Sequence, residues 1–81
     1  MKKAGESVSR TVLYNIKQLR LDKNYTQDYV AARLKISQNA YSKIELGYSK
    51  LTLDRLIEIA TVLDGSIIDL MTIKHYGVQQ V

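Results

Sequence analysis

Helix-starting residues recur at short intervals along this 81-residue chain and divide it into segments that suit only small helices. Four hydroxyl residues that favour N-cap positions each precede a stretch of apolar residues spaced three and four apart. These residues are Thr26, Ser37, Thr52 and Ser66. Proline is absent and only four glycines occur, which suits helices joined by short turns. The sequence therefore predicts an all-α fold of five helices.

The bounds of these helices follow from the caps and from the apolar spacing. The predicted helices run from Ser9 to Lys23, Gln27 to Leu34, Gln38 to Leu46 and Leu53 to Leu63, with a last short helix through Met71. Asn24, Gly47 and Gly65 are expected to end the first, third and fourth helices. The spacing predicts that the fourth helix buries Leu53, Leu56, Ile57, Ala60 and Leu63. The domain would then cover residues 9–71, between an N-terminal arm at 1–8 and a tail at 72–81.

Several classes of protein are disfavoured by composition. Cysteine is absent and His75 is the single histidine, which is too little for a metal site or a Ser/His/Asp arrangement. No nucleophile–base pair or phosphate-cradling glycine loop is recognisable, so we expect neither an enzyme nor a cofactor. No signal core and no apolar run of membrane-spanning length is present. We therefore expect a soluble cytoplasmic protein without a membrane partner.

Positive charge is concentrated in the first part of the chain. Residues 1–50 contain ten lysines and arginines against four acidic residues, whereas residues 51–81 contain two against four. A polyanion would therefore be attracted to the first part. Small soluble proteins often carry a few net charges, so this asymmetry favours nucleic-acid binding only slightly.

The third predicted helix has two chemically distinct faces. Gln38, Asn39, Ser42 and Lys43 lie together on one face, and small or apolar residues occupy the other. Glutamine and asparagine match the donor and acceptor of adenine, and lysine matches the acceptors of guanine. This face predicts base reading in the major groove. Any surface helix has a polar face, however, so a merely solvated face stays an alternative at this point.

The start of the second helix is suited to an anion. Thr26 and Gln27 stand where unpaired backbone N–H groups and the helix dipole favour negative charge. A DNA phosphate would fit there, with the Gln27 side chain holding it. The alternative is that Thr26 only caps the helix and Gln27 is only solvated, and both roles can hold together.

The stretch TQDYVAARLKISQNAYSKIELG, from Thr26 to Gly47, resembles the helix-turn-helix of the Cro and lambda-repressor-like regulators, the XRE family. The similarity extends from about Leu13 to Leu70. It implies a five-helix lambda-repressor-like bundle in which helices 2 and 3 form the helix-turn-helix. It also implies that helix 3 binds in the major groove of double-stranded DNA.

The resemblance also implies roles for individual residues. Gln38, Asn39, Ser42 and Lys43 match positions that read bases or adjoining phosphates. The residues expected at DNA phosphates are Thr26, Gln27, Ser37, Tyr41, Tyr48, Ser49 and Lys50. Arg20 and Glu45 match a structural ion pair between helices 1 and 3.

Three residues depart from the family pattern. Lys35 stands where glycine is usual, which implies either a strained left-handed residue, at roughly 1–2 kcal/mol, or a remodelled turn. Tyr41 replaces an aliphatic residue, and we expect its ring inside, with its hydroxyl at the edge as a further candidate for a phosphate. Leu46 replaces a polar residue, and it would either touch a thymine methyl group or lie away from the bases.

A homodimer is expected because one recognition helix makes too few contacts for tight specific binding. Two subunits on a palindromic operator, with half-sites about 34 Å apart, would solve this problem. The expected dimer surface consists of Ile67, Ile68, Met71, Ile73 and Tyr76, near Leu70 and with Val78 and Val81 as extensions. These residues could instead complete the core of a monomer. The predicted function is a transcriptional repressor, and the alternative is an antitoxin that binds a toxin, or a protein-interaction adaptor, of the same fold.

Overall fold

The computed structural model describes residues 4–72, which form five α-helices and contain no strand. The helices are α1 (Ala4–Asp22), α2 (Gln27–Leu34), α3 (Gln38–Glu45), α4 (Leu53–Leu63) and α5 (Ile67–Met71). The predicted all-α class and the order of five helices are confirmed. The predicted bounds of α2 and α4 agree with the structure, and α3 ends one residue earlier than predicted.

Each helix after α1 begins at a hydroxyl side chain that accepts a hydrogen bond from a backbone N–H three residues later. The accepting oxygens lie 2.9–3.1 Å from their donors. The four capping residues are Thr26, Ser37, Thr52 and Ser66. Each cap satisfies one of the N–H groups that a helix start leaves unpaired, which explains why the starts of α2 to α5 could be predicted from the sequence.

The first four helices end on a left-handed residue. These residues are Asn24, Lys35, Gly47 and Asp64, with φ between 54° and 82°. In each case the next residue donates its N–H to a carbonyl five positions back, at 2.8–3.0 Å, which closes the last turn. Lys35 therefore keeps the left-handed turn in spite of its side chain.

The expectation that Gly65 itself supplies the break after α4 is wrong, because the left-handed residue is Asp64. Gly65 has a different role. A Cβ atom at this position would lie 2.6 Å from Leu19 Cδ2. The missing side chain therefore allows the α4–α5 connection to approach α1 closely.

The start of α1 also differs from the prediction. The helix begins at Ala4 and not at Ser9, so residues 4–8 are helical and do not form an arm. The prediction placed the start where the apolar spacing begins. No proline interrupts residues 4–8, so the backbone can continue the helix towards the N-terminus.

The hydrophobic core draws on all five helices. Its fully buried large side chains are Ile16, Val30, Tyr41, Ile59, Leu63 and Leu70. Helix α1 packs against α3, α4 and α5, and α2 packs against α3 and α4. Helices α2 to α5 have only 5–11 residues and are too short to be stable alone in water, so this shared burial holds α2 and α3 in place.

Helix α4 is rotated relative to the prediction. Leu56, Ala60 and Leu63 are buried as expected, but Ile59 is buried too, whereas Leu53 is 67% exposed and Ile57 is 47% exposed. The apolar arc of α4 is wider than the face that contacts the bundle. Apolar spacing alone cannot choose which part of such an arc turns inwards.

A buried asparagine links the end of α5 to α1. Asn15 Nδ2 donates to the carbonyl oxygens of Leu70 and Thr72, at 2.7 and 2.9 Å. Among the helices of residues 4–72, none is long and apolar enough to cross a membrane.

Candidate nucleic-acid interface

Helix α3 presents the predicted polar face to solvent. Gln38, Asn39 and Lys43 are exposed, while Tyr41 and Ile44 on the opposite side are buried in the core. The burial of these two anchors fixes how the helix is rotated about its axis. Ser42 is half-buried, so it has less of its surface available than the other three predicted base readers. Leu46, just after the helix, is exposed.

The starts of α2 and α3 are both accessible. Thr26 and Ser37 are exposed and cap these helices through their side-chain oxygens, which leaves the hydroxyl protons available for donation. The first N–H groups of each helix, such as those of Gln27 and Gln38, have no carbonyl within the helix to bind. These ends can therefore donate to an anion.

Asp28 is an acidic residue in the first turn of α2 that the sequence reasoning did not single out. Its carboxylate is exposed and stabilises the helix start through the helix dipole. The same charge repels a phosphate approaching that end of the helix. Because Asp28 directly follows Gln27 in the sequence, this repulsion of a phosphate could have been predicted.

Arg20 of α1 and Glu45 of α3 form the ion pair that the sequence suggested. Arg20 Nε lies 2.7 Å from Glu45 Oε2, and Arg20 Nη2 lies 3.1 Å from Glu45 Oε1. Both side chains are largely buried. Arg20 Nη1 also donates to the Tyr25 carbonyl at 2.9 Å. The pair therefore joins helix α3 to α1 and to the loop before α2.

Tyr41 is buried within the bundle and not at its edge, so its hydroxyl is not presented at the surface where the phosphate contact was expected. Its side chain is fully buried, and its hydroxyl donates to Glu45 Oε2 at 2.6 Å. Burial and this hydrogen bond raise the pKa of Tyr41 far above its ordinary value, so the hydroxyl stays protonated. The packing of the ring inside the bundle agrees with the other part of the prediction.

Gln27 is held by the same carboxylate. Its Nε2 atom donates to Glu45 Oε1 at 3.1 Å. A side-chain amide nitrogen carries two hydrogens, so the second one is available to a phosphate outside. Glu45 thus binds side chains from α1, α2 and α3, and it fixes the two helices of the helix-turn-helix relative to α1. Sequence reasoning found the Arg20 contact but missed those of Gln27 and Tyr41.

The charges in this network stabilise one another. Burial tends to raise the pKa of Glu45, but the hydrogen bonds from Arg20, Tyr41 and Gln27 outweigh it and lower that pKa below its ordinary value. The hydrogen bond to Glu45 raises the pKa of Arg20. Glu45 is therefore ionised at neutral pH, and within helix α3 it binds neighbouring side chains and is not presented to solvent.

The loop after α3 continues the same surface. Tyr48 and Lys50 are exposed, and Ser49 is half-buried. The left-handed Gly47 turns the chain into this loop, and Tyr48 and Ser49 both donate their N–H groups to the Lys43 carbonyl. The loop residues that were predicted to contact phosphates therefore lie on a short, hydrogen-bonded turn directly beside Lys43.

Of the predicted dimer residues that the structure describes, some are exposed and others are packed in the core. Ile68 is 77% exposed and Met71 is also exposed, whereas Ile67 packs against the core and Leu70 is buried. Ile73, Tyr76, Val78 and Val81 lie outside the described residues, as does His75. Two residues that the prediction placed elsewhere, Val8 and Leu53, line an apolar groove together with Met71.

The part of the chain that the structure describes holds no group of three or more His, Asp or Glu side chains arranged for a metal ion. What it offers is a helix pair with an exposed amide-and-lysine face, two open helix starts and a basic loop. This arrangement defines a helix-turn-helix protein.

Comparison with known proteins agrees with this class. The model of the Helix-turn-helix family, of the Cro/C1 type, matches residues 16–70, which is well over half of the chain. The chain belongs to this family, whose domain is DNA-binding and non-enzymatic, and it is a DNA-binding protein of the transcription-regulator class that binds double-stranded DNA. No curated protein and no solved structure matches the chain significantly.

Proposed function

We propose that this protein is a transcriptional repressor that binds a palindromic operator as a homodimer, on the nucleoid DNA of the cytoplasm. Helix α3 enters the major groove, where Gln38, Asn39 and Lys43 read base edges and Ser42 contributes from its half-buried position. Occupation of the operator excludes other proteins from the same DNA, which accounts for repression without any bond chemistry.

The phosphates on either side of the groove orient the protein. The open start of α2, with Thr26 and the second amide hydrogen of Gln27, donates to one strand. The start of α3 at Ser37 and the loop of Tyr48, Ser49 and Lys50 donate to phosphates nearer the end of the recognition helix. These contacts release counterions and give binding a steep dependence on salt.

The homodimer forms through the exposed apolar residues of α5. Ile68 and Met71 are exposed and are not used to pack α5 against the bundle, and Ile73 and Tyr76 follow them in the chain. Two α3 helices about 34 Å apart would then read equivalent half-sites. Sedimentation at micromolar concentration tests this point, because a single 9.2 kDa species would contradict it.

The observation that carries the proposal is the polar face of α3, which stays exposed while Tyr41 and Ile44 anchor its back. Selection of bound sequences from a random DNA pool, at two salt concentrations, tests the function. We expect one palindromic sequence whose half-sites are centred one helical turn apart, and an affinity that falls as salt rises. Recovery of unrelated sequences under both conditions would contradict sequence-specific regulation.

A further inference from the structure

A groove of about 390 Å³ lies between the end of α2 and the outer side of α4, and no step of the proposed DNA binding uses it. Its floor consists of aliphatic side chains from both helices. Leu34 and Val62 are half-buried against the core, and Ile57 is 47% exposed. Ile57 is one of the two α4 residues that were predicted to be buried and are exposed, so the rotation of α4 places an aliphatic side chain in this groove.

Two cations border the groove on its α2 side. Arg33 is exposed, donates to the Tyr29 hydroxyl at 2.8 Å and stacks over the Tyr29 ring. Lys35 is exposed and held in the left-handed turn. Within residues 4–72 neither of these side chains forms a salt bridge, since the two pairs found there involve Arg20 and Arg55.

The negative charge of the one acidic side chain that lines the groove is already paired with an arginine. Glu58 lies 2.8 Å from Arg55 on the same helix. The groove therefore has a positive border and an apolar floor. This combination complements a segment that carries carboxylates beside an aliphatic side chain.

We propose that this groove docks an acidic segment of a partner protein, which inserts an aliphatic side chain between Leu34, Ile57 and Val62 and places carboxylates beside Arg33 and Lys35. A phosphate backbone would satisfy the two cations but would leave the apolar floor in water. The floor therefore favours a protein over a nucleic acid. Because Lys35 precedes the cap of α3 by two residues, the docked segment lies close to the DNA-binding helix.

The test uses the full-length protein labelled with ¹⁵N and a synthetic helical peptide as the probe. The peptide carries leucines one turn apart flanked by glutamates. One control peptide has every glutamate replaced by glutamine, and another has the leucines replaced by alanine. We expect amide shifts confined to the groove, and binding of the acidic peptide about tenfold tighter than that of either control, which corresponds to roughly 1.4 kcal/mol.

Matched variants separate the groove from the rest of the surface. Ile57→Ser and Lys35→Glu should each weaken the acidic peptide about fivefold or more, a little under 1 kcal/mol. Leu53→Ser, an exposed aliphatic residue of α4 outside the groove, and Lys17→Glu, an exposed lysine of α1, should leave it unchanged. Thermal unfolding of each variant shows that it is folded before binding is compared.

Three results would overturn the proposal. The first is no shift of groove amides at millimolar peptide, and the second is equal loss of binding in the control variants. The third is a different occupant. Groove shifts caused equally by a random-sequence duplex would assign the groove to DNA, and shifts that follow protein concentration alone would assign it to a second copy of the chain.

Discussion

Substitution of Glu45 by alanine removes the centre of the network that fixes helix α3. Four donors lose their acceptor: Arg20 Nε and Nη2, the Tyr41 hydroxyl and Gln27 Nε2. The guanidinium of Arg20 remains largely buried and keeps only the Tyr25 carbonyl as a partner. The variant therefore leaves a buried charge without its counterion.

The expected cost follows from these losses. Removing one partner of a buried ion pair typically costs about 3–5 kcal/mol. A domain of this size has a total stability of roughly 4–12 kcal/mol, so the loss is a large fraction of it. Each kcal/mol corresponds to about 4–8 °C in Tm, and we expect Glu45→Ala to lower Tm by at least about 12 °C. Tyr41→Phe removes a single hydrogen bond to the carboxylate and should cost about 1.5–3 kcal/mol.

Urea unfolding at pH 7, followed by circular dichroism, gives the free energies of the wild type, of both single variants and of the double variant. Tyr41 and Glu45 touch, so their effects should not add, and the double variant should be close to Glu45→Ala alone. The reasoning would be refuted if Glu45→Ala cost less than about 1 kcal/mol, or if the two effects were strictly additive.

Further predictions concern pH, backbone strain and DNA affinity. The pKa of Glu45 in the folded protein is below its ordinary value of 4.5, so its contribution to the free energy of unfolding is present above pH 4.5 and is lost as the pH falls further. Urea unfolding should therefore show that the difference in stability between the wild type and Glu45→Gln becomes smaller below pH 4.5. A difference that does not change with pH would contradict this. Lys35→Gly relieves the strain of a left-handed residue and should raise stability by about 0.5–1 kcal/mol in thermal unfolding. The gain is smaller than the strain because glycine loses more conformational entropy on folding than lysine. A lower Tm would argue against strain at this residue. Asp28→Asn removes a carboxylate from the start of α2 and should tighten DNA binding about two- to fivefold in dilute salt, with a smaller gain at high salt, as measured by fluorescence anisotropy; an unchanged affinity would place that helix end away from the phosphates.

Local signals in the sequence were sufficient for the helices and for the faces of α3. Hydroxyl caps such as Thr26 and Ser37 act within four residues of chain, so the residues that form them are adjacent in the sequence. The face of α3 was predictable because the side chains that anchor it, such as Tyr41 and Ile44, are spaced as a helix requires. Left-handed ends were predictable at Asn24 and Gly47, where the residue type favours that conformation, and not at Asp64.

The features that depend on how separate helices meet were not predictable from the sequence. The contact of Gln27 with Glu45 requires α2 and α3 to lie at one particular distance and angle. Tyr41 and Glu45 are one turn apart on α3, so their spacing was visible in the sequence, but the inward direction of the carboxylate depends on Arg20 of α1. The rotation of α4 depends on its neighbours, because both Ile57 and Ile59 belong to its apolar arc. Asn15 occurs among the apolar residues of α1, a pattern that could have signalled a buried hydrogen bond, but its partners lie more than fifty residues away.

The central claim, that the Gln38 and Lys43 side of α3 reads DNA, is tested most directly by the affinity of three variants for the selected operator and for an unrelated duplex. Gln38→Ala and Lys43→Ala should each weaken operator binding by about 1–3 kcal/mol and should relax the preference for the base pair they contact. Lys17→Ala, a lysine exposed on α1, serves as the control and should retain that preference. If Gln38→Ala and Lys43→Ala bind the operator as tightly and as selectively as the wild type, another surface of the protein meets the DNA.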